Sequence, residues 1–347
     1  MKISTVAYKG SKRKLLSNIE KYAAQINARS FFDGFSGTGI VSAHMRSKGY
    51  VVSANDKNYS SSIYGNVFLG GFDQNIVDHH LSAMNGITPK IGWLTENYSG
   101  TKVRQIRGTG GKSEDRPLGY MKKNSMKLDA ARDYVEQVNI SPQDKDALIF
   151  SVILAADKVF NNTSDQKSSL KTWSKASQKD VLFTSPTLIS GPVGQQHIGE
   201  ITTMNLEADL VYLDPPYTHG VLYSSCYHLN DSIAKWDKPK LDMGYALPRP
   251  ESVCFRKNGQ KAGGFYNKSS AKQSFESIFK NLNCRRSVLS YSDAPRNTLT
   301  IKELSDICSS FGKTTIEARD HRICMQPEGM NKISSNLKEF FIITDFS

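Results

Sequence analysis

The segment DLVYLDPPYTHG runs an apolar stretch into Asp214, Pro215, Pro216 and Tyr217. Proline has no N–H, so a turn at Pro215 and Pro216 stops a strand's ladder and leaves carbonyl oxygens free to accept from a ligand. An ionised Asp214 can only accept hydrogen bonds. Tyr217 offers a flat ring. A planar heteroaromatic base with an exocyclic amino group answers all three groups: its amino hydrogens donate to Asp214 and to the Pro215 carbonyl while Tyr217 stacks on its face. Accepting both hydrogens draws the nitrogen lone pair out of conjugation and toward an electrophile. A sulfonium methyl is such an electrophile, and its positive charge is compatible with a nearby aromatic face. This chemistry needs no metal.

A second constellation is FFDGFSGTG, residues 31–39, with glycines at 34, 37 and 39. Glycine permits positive φ and close approach of the backbone to a ligand. Asp33 ends the apolar run before the loop. Asp56 ends the next one, YVVSAND, where a carboxylate can take both hydroxyls of a ribose. The loop and Asp56 together point to a nucleoside-containing cofactor. Their spacing fits a nicotinamide cofactor as well as S-adenosylmethionine, and the Asp-Pro-Pro-Tyr chemistry favours the second.

These residues need a scaffold that brings strand ends together. SFFD, YVVSAND and ADLVYLD read as strands, and IVSAHMRSKG after the glycine loop reads as a helix ending at Gly49. Near the C-terminus RSVLSYS, TIKELSDICSSFG and EFFIITDF read strand, helix, strand. Such alternation predicts an α/β fold, a doubly wound and mostly parallel sheet. From Ile76 to about Gly199 no strand-turn-helix unit of this kind is expected. SPQDKDALIFSVILAADKVF should be a helix with Ser141 as N-cap and Pro142 at its first position. Lys167, Lys171, Lys175 and Lys179 recur every four residues and predict a basic helix face. The expected division is residues 1–72 and 201–347 as the main domain, with 73–200 as an inserted, helical, basic subdomain.

Charge points to a partner. The net charge is +12, and two segments carry it: Lys90 to Arg132 holds ten Lys/Arg against four Asp/Glu, and Arg249 to Arg286 nine against two. A chain near neutral elsewhere and basic in two stretches suits a polyanion such as nucleic acid. The five cysteines form no Cys-x-x-Cys pair, which argues against a zinc site or a disulfide scaffold. No apolar run is long enough for a membrane helix and the N-terminus lacks a signal-peptide core, so the expected location is the cytoplasm, without a membrane partner.

YKGSKRKLL (Tyr8 to Leu16), FFDGFSGTG, SAND (Ser53 to Asp56) and YLDPPY occur in an order that resembles the Dam-like, alpha-group DNA adenine N(6)-methyltransferases. WLTEN, AADKVFNNT, YSSCYHLNDSIAKWDKP and VLSYSD resemble segments of the branch that includes the FokI-type enzymes. The resemblance implies an S-adenosylmethionine-dependent methyltransferase fold with a target-recognition insert. It implies that Tyr8 and Lys12 contact the methionine end of the cofactor, that Asp33, Phe35, Gly37 and Gly39 cradle it beside Asp214, and that Asp56 holds its ribose. Asp214, Pro215, Pro216 and Tyr217 would receive an adenine flipped out of double-stranded DNA, and a separate cognate restriction endonuclease is a candidate partner. Arg104, Arg107, Lys112 and Lys122 in the insert, with Arg256 and Lys257, are the expected phosphate contacts. Asn205 and Glu207 stand where the family often has an acidic residue near the cofactor adenine, and neither is assigned. Tyr227 and His228 match a family segment without an evident chemical role, and a lone histidine is ordinarily structural. Three other readings carry the same motif: an RNA adenine methyltransferase, a methylase of protein glutamine side chains, and a non-catalytic nucleic-acid-binding module.

Overall fold

The computed structural model describes residues 3–105, 113–162, 165–216, 223–254, 264–320 and 338–346. Contacts gather the chain into two compact units. One is Met1–Lys9, Gly71–Leu188 and Ser224–Gln260; the other is Gly10–Gly70, Ile189–Tyr223 and Lys261–Ser347.

The second unit is built on one sheet. Its strands are β1 (Ser30–Asp33), β2 (Val51–Asp56), β3 (Gln195–Ile198), β4 (Leu206–Leu213), β5 (Leu282–Ser292), β6 (Lys313–Asp320) and β7 (Lys338–Asp345). They lie in the order β6-β7-β5-β4-β1-β2-β3. The run from β5 to β3 is parallel throughout, and β7 is antiparallel to both its neighbours. This is the doubly wound α/β class, with one reversed strand slipped in between the fifth and sixth. β1 from Phe31 to Asp33 and the second half of β4 are buried because helices cover both faces of such a sheet. Phe275, Ile278 and Phe279 of the helix Lys268–Lys280 and Leu304 and Ile307 of Ile301–Ser309 pack into one core with Val211, Leu213, Leu289 and Ile342. Each such side chain contributes about 1.5–3 kcal/mol by leaving water. Thr300 starts the Ile301–Ser309 helix with a capping box to Glu303.

Two consequences position chemistry. Strand order reverses between β1 and β4, and in open α/β sheets the crevice at such a reversal opens at the carboxyl ends of the strands. β1 ends at Asp33, β2 at Asp56, and Asp214 follows β4 directly, so the three carboxylates stand along that edge. The reversed β7 brings its first residues to the same edge: Glu339 pairs in register with Ser292, the last residue of β5.

β3 lies in the stretch before Gly199 that the sequence reads as helical. Gln195–Ile198 pairs in parallel with β2, Ser53 opposite Gln195. QQHI carries almost no apolar signal because it is an outer strand with only one neighbour.

The first unit is mainly helical. Asp73 caps Gln74–Gly86 by accepting from the N–H groups of Asn75 and Ile76. Ser141 caps Pro142–Lys158 as expected, with Pro142 in the first turn, and that helix is buried from Ala147 through Ala156. Trp93–Tyr98, Lys122–Gln137 and His228–Lys235 accompany it, and Thr101–Gln105 pairs with Ser113–Pro117 as an antiparallel ribbon. The basic helix expected over Lys167–Lys179 is not formed. Asn161 explains why: its backbone carbonyl accepts from Leu170 N–H, its side-chain amide donates to the Leu170 and Thr172 carbonyls, and its side-chain oxygen accepts from Ser174 N–H. Turns replace the helix, so the four-residue spacing of the lysines defines no common face.

Candidate active site at the carboxyl edge of the sheet

The glycine loop is tied to the sheet by its backbone. Gly34 N–H donates to the Tyr212 carbonyl of β4 at 2.8 Å, and Ser36 N–H to the Asn55 carbonyl of β2 at 2.9 Å. Gly37 and Gly39 have φ of 50° and 71°, the left-handed region. A Cβ on Gly39 would also stand 2.9 Å from the Phe68 ring. Asp56 holds the loop and its own turn together: Oδ2 accepts from Gly37 N–H and Oδ1 from Asn58 N–H, each at 2.8 Å. The expected site residues Asp33, Gly37, Gly39 and Asp56 therefore meet, while Phe35 sets its ring edge-on to Phe265 at 5.4 Å.

Asp33 is 1% exposed. Ser42 donates to its Oδ2 at 2.6 Å, and its Oδ1 is buried with no protein partner among the described residues. Burial pushes its carboxyl up to about 7, Asp214 and Asp56 add to the rise, and the Ser42 hydrogen bond opposes it. Ser36 Oγ and Asn55 Oδ1 are likewise buried without a partner. Unsatisfied buried polar atoms cost stability, and these three, on the end of β1, the glycine loop and the end of β2, mark a place where a ligand can complete them.

Asp214 is held from one side. Lys12 Nζ donates to its Oδ1 at 2.8 Å, and no described hydrogen bond uses its Oδ2. Lys12 is 3% exposed and Asp214 19%. The same ammonium lies 3.2 Å from Glu339 Oε1, and Ser290 Oγ donates to that oxygen. Burial pushes the Asp214 carboxyl upward; Lys12 pulls it back and Glu339 pushes it further up. Pro215 is buried and Pro216 half-buried behind it. Glu339 and Ser290 are site residues that the sequence reading does not find. A glutamate opening an apolar strand carries no sign that it points inward, because only the reversal of β7 sends it to this edge.

The first unit holds the other family-matched positions. Tyr8 stacks on Tyr227 with ring centroids 4.2 Å apart, and Lys9 N–H donates to the Tyr227 hydroxyl at 2.8 Å. Ala7 N–H donates to Asp157 Oδ2 at 2.7 Å, and Lys9 pairs with Asp165. Tyr227 thus anchors the N-terminal segment. His228 is fully buried against the Gln166 carbonyl, and burial lowers it to about 3, so it is neutral and structural. Lys122 is exposed at the start of its helix. Arg104 lies on the ribbon, but its side chain falls outside the described residues, as do Arg107, Lys112, Tyr217, Arg256 and Lys257.

Three carboxylates stand on neighbouring parallel strand ends round a glycine turn, at the switch point of a doubly wound α/β sheet. The chain belongs to the D12 class of N6 adenine-specific DNA methyltransferases, whose family model matches residues 8–244. It is 26% identical over 335 residues to the modification methylase LlaI of Lactococcus lactis subsp. lactis, covering 91% of this chain and 51% of that protein. It is 26% identical over 330 residues to the Type II methyltransferase M.NlaIII of Neisseria lactamica, covering 91% of each. It is 24% identical over 328 residues to the Type II methyltransferase M.FokI of Planomicrobium okeanokoites, covering 87% of this chain and 46% of that protein. The chain therefore spans about half the length of two of these relatives and nine tenths of the third.

Proposed function

We propose that this protein is a site-specific DNA adenine N(6)-methyltransferase that uses S-adenosylmethionine and acts on an adenine flipped from the duplex. One observation carries the reading: Lys12 secures Asp214 through Oδ1 at the carboxyl edge of the sheet and leaves Oδ2 toward an amino donor. The residues present fit the cofactor. Asp56 and Asp214 face one buried ammonium among the described residues, that of Lys12, and a cationic ligand would favour ionisation of the Asp33 carboxyl beside them; Asp33 Oδ1, Ser36 Oγ and Asn55 Oδ1 are buried without a protein partner among the described residues. Asp33 and the turn at Gly37 and Gly39 would hold its methionine portion, and the Asp56 carboxylate would accept from its ribose. When bound, S-adenosylmethionine supplies an activated methyl group that the adenine amino nitrogen receives.

The chain's own part is positioning and proton acceptance. Asp214 and the Pro215 carbonyl accept from the amino group and direct its lone pair. Tyr217 supplies the stacking face. Excluding water strengthens these contacts, so positioning and desolvation provide most of the rate. The helical first unit, with its basic Lys90 to Arg132 stretch, is the part we assign to phosphate contact and target choice, Lys122 and Arg104 included. A restriction endonuclease acting on the same site is the natural partner, because relatives of this chain are named Type II methyltransferases. No described helix is long and apolar enough to cross a membrane, and a cytoplasmic location is the one that accords with the proposed DNA substrate.

The test is to incubate the protein with unmethylated genomic DNA and S-adenosylmethionine, then sequence with modification detection. N(6)-methyladenine confined to one short motif is the expected result. No modified base, or methylation of RNA in preference to DNA under competition, overturns the proposal.

A further inference from the structure

Glu339 has no place in the chemistry so far, yet it is 1% exposed and lies against the one ammonium that holds Asp214. A single Lys12–Asp214 pair would be neutral. Adding a second carboxylate leaves the cluster with an excess negative charge, and each buried ion costs several kcal/mol before pairing repays any of it. Stability alone gives no reason for it. Geometry does. An ammonium has three donors on a flexible stem. The Asp214 carboxylate and the Gly10 carbonyl each accept from it, and Glu339 Oε1 lies 3.2 Å from it, fixed by Ser290. The chain Ser290–Glu339–Lys12–Asp214 thus runs from strand β5 through β7 to the carboxylate after β4.

We infer that Glu339 is a positioning residue of the transfer site: anchored by Ser290, it fixes the Lys12 ammonium and, through it, the orientation of the Asp214 carboxylate. The inference rests on the proposed function above. Among the described residues, the charged and titratable groups facing Asp214 are Lys12, Glu339, Asp33 from β1 and Tyr212 from its own strand. Among these Glu339 is the carboxylate that raises Asp214 most directly, so removing its charge moves the ionisation of Asp214 to lower pH.

Three variants test this. Glu339→Gln should lower kcat roughly tenfold or more, the effect of one lost charge-assisted hydrogen bond, with the affinity for S-adenosylhomocysteine unchanged by calorimetry. Its acid limb in kcat against pH should move down. Glu339→Asp keeps the charge but shortens the reach, so kcat falls while the acid limb stays. Ser290→Ala loosens Glu339 without changing charge and should behave like Glu339→Asp. A ¹³C titration of the Asp214 carboxyl, assigned by its loss in Asp214→Asn, reads the same coupling without turnover and should show a lower midpoint in Glu339→Gln. Wild-type kcat in Glu339→Asp and Ser290→Ala overturns the inference even where Glu339→Gln does not fold. An unmoved Asp214 midpoint in folded Glu339→Gln overturns it too. A wild-type protein that modifies no adenine overturns the proposed function instead, and the carboxyl titration still decides the role of Glu339.

Discussion

Lys12 and Asp214 stand 2.8 Å apart, joining the turn before the first helix of the second unit to the end of β4. With Lys12 almost fully enclosed, the contact is a buried ion pair, and such pairs are strongly sensitive to loss of one member. Lys12→Met leaves Asp214 and Glu339 facing each other without a cation. It should cost about 3–5 kcal/mol of stability, read by denaturant unfolding. Lys12 also lowers the Asp214 carboxyl, so in whatever protein folds the acid limb of kcat/KM should move to higher pH. A limb that stays in place would break the link between this pair and catalysis.

Asp214→Ala separates binding from transfer. The variant keeps the glycine loop, Asp33 and Asp56, so binding of S-adenosylhomocysteine by calorimetry should largely persist. Methyl transfer should vanish, because the acceptor aimed at the amino group is gone. Near-normal turnover would refute the assigned role.

Asp33 makes stability depend on pH. Its carboxyl is raised to about 7 in the folded protein by burial, above its unfolded value near 4. A raised folded pKa means the folded state holds the proton more tightly. Its stabilising contribution is full below the unfolded value and is lost as pH rises through the folded one. The window is therefore from about pH 4 to about 7, with stability falling toward the alkaline end. Asp33→Asn should flatten that fall and raise the melting temperature at pH 8, while weakening cofactor binding. Melting curves at pH 5 and pH 8 for both proteins check it; an equal pH dependence would show that Asp33 stays ionised throughout.

How far the sequence foretold this site depends on whether the signal was local. The glycine loop, the apolar strands ending at Asp33, Asp56 and Asp214, and the Ser141-Pro142 helix start are each written within a dozen residues, and all stand where expected. β3 was illegible because an outer strand of polar residues has no pattern to read. The lysine spacing over Lys167–Lys179 suggested a helix because periodicity alone cannot show that Asn161 spends its hydrogen bonds on holding turns. Glu339 was out of reach for a different reason. Its role depends on a strand reversal that places the last strand's second residue beside Lys12.

Asp56 offers a last test, because its two oxygens do different structural jobs before any ligand arrives. Oδ2 holds Gly37 N–H and Oδ1 holds Asn58 N–H. Asp56→Ala leaves both N–H groups without that acceptor and should cost about 1–3 kcal/mol for each group that stays buried and unpaired. Asp56→Asn keeps one oxygen, so only one of the two bonds can survive with good geometry, and its loss should be smaller. Gly37 has a positive φ, and releasing its N–H frees the loop to relax away from that conformation. Cofactor affinity should then fall in both variants, more in the alanine. If Asp56→Asn retained full affinity for S-adenosylhomocysteine while Asp56→Ala lost it, the loop would need only an acceptor at Gly37, and a carboxylate grip on the ribose would be refuted.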